Sequence, residues 1–298
     1  MTTATNATML DPPAEHLRIA DALIAEADAS DGLVDLDLER FWAEDARANA
    51  DPFADDCPQV AMGVLMGGEA VGEELGIAED YHRYFHDPPY RAELNKAYND
   101  VAERIVGRRL LNEQVPDPER QPPRVKQLYE IFEAEQEWHS WSYWITPSAN
   151  TPDELSALLD RVERRLETLR EFVLPKNWGA QRDRLTALGV KPPLYRGQRG
   201  PVTFATSIYG AENLLFLLID QPDLAARFSD VIRRSMLAYG QVLDDEAGWT
   251  PDSNERRGFS FMDDNCTLLT PEMYEAFGYP ILKAIFERYA SRPNDWRY

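Results

Sequence analysis

The chain has 298 residues, 44% of them hydrophobic, enough for one large domain or two ordinary ones. Its 31 Lys and Arg stand against 52 Asp and Glu, a formal net charge of −21; such a surface repels a phosphate backbone and argues against nucleic acid as a partner. The longest apolar run, Leu214 to Ile219, is far too short to span a bilayer, and two distant cysteines, Cys57 and Cys266, exclude a disulfide framework and a closed all-cysteine zinc site.

No basic segment followed by an apolar core opens the chain, so no signal peptide is read there. With the sparse cysteines, this fits a reducing, cytoplasmic location. Residues 1–12, rich in Thr, Ala and Asn, read as a disordered tail. Residues 13–124 read as a helical extension holding a first strand. Its helices run over Ala14 to Ala29, around Phe41-Trp42 and over Asn95 to Leu111, with Asp51-Pro52-Phe53 closing the second. Val60 to Met66 has the apolar continuity of a buried strand. The Gly67-Gly68 pair after it lacks the further glycines and the Lys-Ser/Thr of a phosphate loop. His82 and His86, spaced i and i+4, would share a helix face as two metal ligands must. The intervening Arg-Tyr-Phe lacks the glutamate of the metalloprotease motif, which favours a structural role.

Pro116 to Pro123 is a proline-rich, charged connection. A helix is expected over Val125 to Trp138. A strand is expected in the aromatic run after it, where Trp141, Tyr143 and Ile145 alternate and His139 stands at the start as a possible base. Thr151-Pro-Asp-Glu has a capping-box signature and opens a long helix. Its apolar stripe runs from Leu155 to Phe172 before Pro175 ends it. The Arg-rich Arg161-Val-Glu-Arg-Arg and Arg256-Arg257 are interleaved with acids and read as solvated faces.

Leu194-Tyr195 is a short strand candidate, and helices are expected over Ala211 to Asp220 and Pro222 to Leu243. Phe259 to Met262 reads as a buried strand ending in Asp263 and Asp264. Beyond it Thr270 suits an N-cap, Pro271 the first helical position and Glu272 the positive end of the helix dipole. Met273, Phe277, Ile281, Ile285 and Tyr289 then recur every fourth residue, a stripe to lay on a sheet. Strands alternating with helices from Trp144 onward argue for parallel βαβ units. An acidic pair at the carboxyl end of such a strand stands where open α/β sheets and barrels keep their chemistry. The bland alternative is that one carboxylate caps a turn and the other faces water.

Two separated segments carry a resemblance. Arg199-Gly-Pro-Val-Thr-Phe-Ala-Thr-Ser-Ile-Tyr-Gly-Ala-Glu resembles the Gly-x-Pro-x-Thr-Leu-Ala segment of the uroporphyrinogen decarboxylase superfamily. Phe261-Met-Asp-Asp and Leu269-Thr-Pro-Glu-Met-Tyr-Glu-Ala-Phe-Gly-Tyr-Pro resemble that family's later strand and helix, with Pro280 where the family carries a proline. The likeness covers about residues 150 to 290.

The resemblance implies an α/β fold of the (β/α)8 TIM-barrel type over residues 125–298, with the site at the carboxyl ends of its strands. It implies Asp263 and Asp264 as catalytic residues, and Arg199, Thr203, Tyr209 and Asn265 as substrate-binding residues. The leading expectation is a decarboxylase acting on a tetrapyrrole or related small molecule without a cofactor. An Asp would stabilise the protonated pyrrole intermediate by charge and hydrogen bonding.

Two departures from the family matter. The Arg-Gln-Ala-Gly-Arg segment that holds substrate carboxylates is not found. Neither are the His-x-Cys and later Cys that hold zinc in the family's corrinoid-dependent methyltransferases. The alternatives are therefore a zinc- and corrinoid-using methyltransferase, partnered by a corrinoid protein, and a non-catalytic binding protein on a decayed barrel. A cap formed by the two aspartates would favour the last. Roughly five strand candidates from residue 60 onward fall short of barrel closure, so the barrel is expected to be incomplete at the C-terminus and the chain a fragment.

Overall fold

The computed structural model describes residues 12–30, 37–60, 68–191, 197–250, 258–293 and 295–297. The tail, the Val60 to Met66 strand, Gly67, the Leu194-Tyr195 strand and Arg256-Arg257 lie wholly or almost wholly outside the described residues. Contacts divide the chain into two units, Met1–Gln114 and Val115–Tyr298, with the division ahead of the boundary expected at residue 124.

The first unit is built from α1 (Ala14–Ala29), α2 (Leu38–Ala50), α3 (Gly68–Leu75), α4 (Tyr81–His86) and α5 (Pro88–Val106). Aspartates start three of them: Asp37, Asp80 and Asp87 accept hydrogen bonds from the backbone N–H groups of Arg40, Arg83 and Tyr90. A small core of Val71, Tyr98 and Ala102 joins α3 to α5. Asn99, fully buried on α5, receives the N–H groups of Leu110 and Leu111 and donates to the Leu111 carbonyl, so the chain after α5 folds back along it.

The second unit is mixed α/β and mainly helical. It runs α6 (Leu128–Ile131), β1 (Glu135–His139), β2 (Ser142–Thr146), α7 (Pro152–Leu166), α8 (Leu169–Val173), α9 (Trp178–Ala187), β3 (Gln198–Arg199), α10 (Pro201–Tyr209), α11 (Ala211–Asp220), α12 (Pro222–Ala247), β4 (Gly258–Phe259), β5 (Phe261–Met262), α13 (Pro271–Tyr289) and β6 (Trp296–Arg297). Among the described residues no single helix is long and apolar enough to cross a membrane.

Two expectations are corrected here. The helix over Val125 to Trp138 is one turn, α6, after which Glu133 takes a left-handed backbone (φ 59°) and the chain turns extended. Arg161 and Arg165 of α7 clamp the Glu133 carboxylate and hold that break. The aromatic run then pairs antiparallel with it, Glu135 opposite Thr146 through His139 opposite Ser142, across a turn where Ser140 is left-handed (φ 57°). The long helix after Thr151 also breaks, between α7 and α8, while its apolar stripe continues into buried Leu169 and Val173.

The residues that matter most for the site form parallel pairs. Gln198 and Arg199 pair with Phe261 and Met262, while Gly258 and Phe259 pair with Trp296 and Arg297. Helices α10 to α12 connect β3 to β4, and α13 connects β5 to β6. Phe259 and Phe261 point the same way, as period two requires. Phe259 stacks on Tyr289 (5.5 Å) and Phe261 lies against Phe286 (5.8 Å), so α13 covers this face of the strands. It also packs on α12, where the Ser229 hydroxyl donates to the Phe277 carbonyl across the interface at 2.6 Å. Thr270 accepts from the Met273 N–H, and the helix runs through Pro280, which has no N–H to give.

Candidate active site

The site forms where β3 turns into α10 beside the end of β5. Gly200 donates its N–H to the Met262 carbonyl (2.8 Å), and Pro201 takes the first helical position, where its missing N–H costs nothing. Asp263 then comes so close that a Cβ on Gly200 would stand 2.0 Å from Asp263 Cβ and 2.5 Å from its Cα. Glycine is required here by contact, not by backbone angle.

That closeness lets Asp263 act as the N-cap that α10 lacks in its own sequence. Its Oδ1 accepts the Thr203 N–H at 2.8 Å, a donor in the first turn of the helix. Its Oδ2 is buried with no hydrogen-bond partner. Burial pushes the Asp263 carboxyl above the ordinary aspartate range, and this outweighs the opposing donors from Thr203 and Val202; Asp264 beside it adds to the rise.

Asp264 is exposed, and its Oδ1 accepts from the Thr203 hydroxyl at 3.2 Å. The same hydroxyl accepts the Asn265 N–H at 3.2 Å, and the Asn265 amide donates to Thr206 Oγ1 at 2.7 Å. Thr203, itself buried, therefore links both aspartates and Asn265 to one helical turn. A short 3-10 helix, Asp264–Leu268, carries these groups on to Thr270.

Of the remaining expected residues, Arg199 is exposed at the end of β3, with one guanidinium nitrogen 3.4 Å from the Ser207 hydroxyl. Tyr209 sits at the far end of α10, 2% exposed, edge-on to Phe228 in the core (6.4 Å). The structure thus gathers Thr203, Asp263, Asp264 and Asn265, keeps Arg199 nearby, and puts Tyr209 elsewhere. His139 is on the hairpin, its ring edge-on to Trp144. His82 and His86 belong to the other unit; their rings stack at 4.2 Å and His86 Nδ1 lies 2.6 Å from the His82 carbonyl.

Two neighbours escaped the sequence reading. The Cys266 thiol is pushed up by burial and by the two aspartates, and the Tyr274 phenol is pushed up to about 12 by burial, Asp263 and Cys266. Tyr274 and Gly278 are four apart on α13, and a Cβ on Gly278 would meet both Tyr274 and Val202 of α10. That i, i+4 pairing of an aromatic residue with a glycine was the readable signal of a close helix contact.

Along the same strands, the residues between Phe259 and Phe261 and after them face the other way. Ser260 and Met262 line a cleft of roughly 620 Å³, with Leu128, Phe204 and Ile145 forming its apolar walls and Arg199 at its edge. Among the described residues no three His, Cys, Asp or Glu side chains are placed to share a metal ion. No known protein family, curated protein or solved structure matches the chain.

Proposed function

We propose that residues 125–298 form a (β/α)-barrel-type unit of the uroporphyrinogen decarboxylase kind. In this reading it removes CO2 from a pyrrole-bearing acid, a tetrapyrrole or a related molecule. The barrel reading is supported by parallel pairing of β3 with β5 and of β4 with β6 through helical connections. The observation that carries the reaction is the unequal treatment of the two aspartates. Asp263 is sequestered as a cap, while Asp264 stays exposed with its orientation set by Thr203.

The chemistry follows from that division. The substrate ring takes up a proton and becomes cationic, and the Asp264 carboxylate stabilises that charge. The C–C bond to the departing carboxylate breaks, its electrons return to the ring and CO2 leaves. The methylene carbon then takes a proton and the ring gives its own back, so one proton is consumed overall. Asp263 and Thr203 act as positioning residues.

Binding without turnover is the second reading, and the Asp263 cap favours it. Incubation with uroporphyrinogen and, separately, with indole-3-acetate, followed by mass spectrometry of the products, separates the two. Methyl products formed by the wild type support the decarboxylase. Tight binding with no methyl product supports the binding protein.

A further inference from the structure

The cleft beside β3 and β5 has a charge pattern at odds with the rest of the chain. The sequence carries 52 acidic residues, yet no acidic side chain lines this cleft among the described residues, and two arginines do. Arg124 is already matched, because both its terminal nitrogens reach the Glu130 carboxylate at 3.1 and 2.8 Å. Among the described residues, Arg199 has only the long contact to the Ser207 hydroxyl. The cleft therefore presents one guanidinium that no carboxylate among the described residues neutralises.

The other lining groups narrow the ligand further. Leu128, Ile145, Phe204 and Met262 offer apolar surface to a ring or branched body. The amides of Gln127 and Gln136 offer neutral donors and acceptors near the edge, with the Tyr129 hydroxyl donating to Gln136 at 3.3 Å. The volume, roughly 620 Å³, suits one small organic molecule. A porphyrinogen with its ring of carboxylates needs several fixed guanidinium partners. A phosphate would bring a second charge, and the nearby N-terminus of α10 is already occupied by Asp263.

We infer that this cleft binds a small ring-bearing monocarboxylic acid, with the carboxylate on Arg199 and the ring against Phe204 and Met262. The cleft reaches the aspartate pair only through its neighbour Met262, and neither Asp263 nor Asp264 lines it; its catalytic meaning rests on the proposed decarboxylase reading, but the binding itself stands or falls alone.

Isothermal titration calorimetry with indole-3-acetate, its neutral analogue indole-3-acetamide, indoxyl phosphate and coproporphyrin tests it. The wild type should bind the acetate at least about tenfold tighter than the amide, the worth of one charge-assisted bidentate contact. Arg199→Gln should erase that preference. Met262→Glu, at a side chain already 64% exposed, should weaken both ligands through lost ring contact, and the acetate about tenfold more than the amide. Equal binding of acid and amide, no binding of the acid, a preference that survives Arg199→Gln, or tighter binding of the phosphate or of coproporphyrin would each overturn the inference. Acetate that binds through Arg199 but is not decarboxylated leaves the inference intact and removes the proposed reaction.

Discussion

Asp263 Oδ1 accepts the backbone N–H of Thr203 at 2.8 Å, a bond between residues 60 positions apart. One side chain thereby ends β5, starts α10 and turns its neighbour Asp264 outward. The cap is supplied from a distant segment because Gly200, the local N-cap residue, has no side chain to give.

The two substitutions of Asp263 should differ. Asp263→Ala removes the cap and should cost about 1–2 kcal/mol in urea unfolding. Asp263→Asn keeps an acceptor of equal capping strength and should cost much less. The difference between wild type and Asp263→Asn should also depend on pH. A carboxyl raised by burial contributes stability that is fully present below the ordinary aspartate range and is lost as pH rises through its raised value. The Asn variant should therefore gain on the wild type as pH rises from about 4 to 7. A gap that moves the other way would mean that the helix dipole and N–H donors outweigh burial.

Gly200→Ala should be among the most damaging single changes in this unit. The new methyl would overlap Asp263 Cβ and its backbone, not a flexible side-chain end that can swing aside. A loss of about 3 kcal/mol or more is expected, read as a fall in the thermal midpoint or as insoluble protein.

Thr203→Val and Thr203→Ser should separate the hydroxyl from the rest of the side chain. Valine leaves the Asn265 N–H without its acceptor and Asp264 without its donor, at a cost of about 1–3 kcal/mol. Serine restores both and should fall within about 1 kcal/mol of wild type. If the two variants unfold alike in urea, the hydroxyl is not the link.

Glu246 should show the opposite pH sign to Asp263. Its side chain is 5% exposed and accepts the Trp178 indole N–H at 2.6 Å, with Arg170 at 2.6 Å and Arg182 at 3.1 Å. Burial alone would raise its carboxyl, but these partners outweigh it and hold it below the usual glutamate range. The stability it contributes is present above that range and is lost as pH falls through the lowered value. Glu246→Leu should cost about 2 kcal/mol near neutral pH, chiefly because the buried indole loses its acceptor, and less in acid. Unfolding curves at pH 7 and pH 3 check the sign.

Local signals carried most of the helical frame. Thr151 and Thr270 each accept the N–H three residues on, and the stripe from Phe277 to Tyr289 is buried where its period placed it. The hairpin was harder, because Val125 to Trp138 is periodic enough for a helix and its break depends on Arg161 and Arg165, 28 and 32 residues after Glu133. Asp263 and Asp264 stood out as a pair at a strand end. Their different roles depend on Thr203 and on Gly200, whose missing side chain lets Asp263 close over it, an approach that only the pairing of β3 with β5 creates. Tyr209 shared the same motif, yet one helix length carried it into the core.

The division of labour between the aspartates is tested most directly by single-turnover CO2 release from bound indole-3-acetate, comparing wild type with Asp264→Asn and Asp263→Asn at saturating ligand. If Asp264 faces the reacting ring, its Asn variant should release CO2 about 10²–10³-fold more slowly with unchanged affinity. Asp263→Asn should stay within about tenfold of wild type, since its capping acceptor survives. Release by Asp264→Asn at the wild-type rate, or a larger loss in Asp263→Asn, would contradict the account.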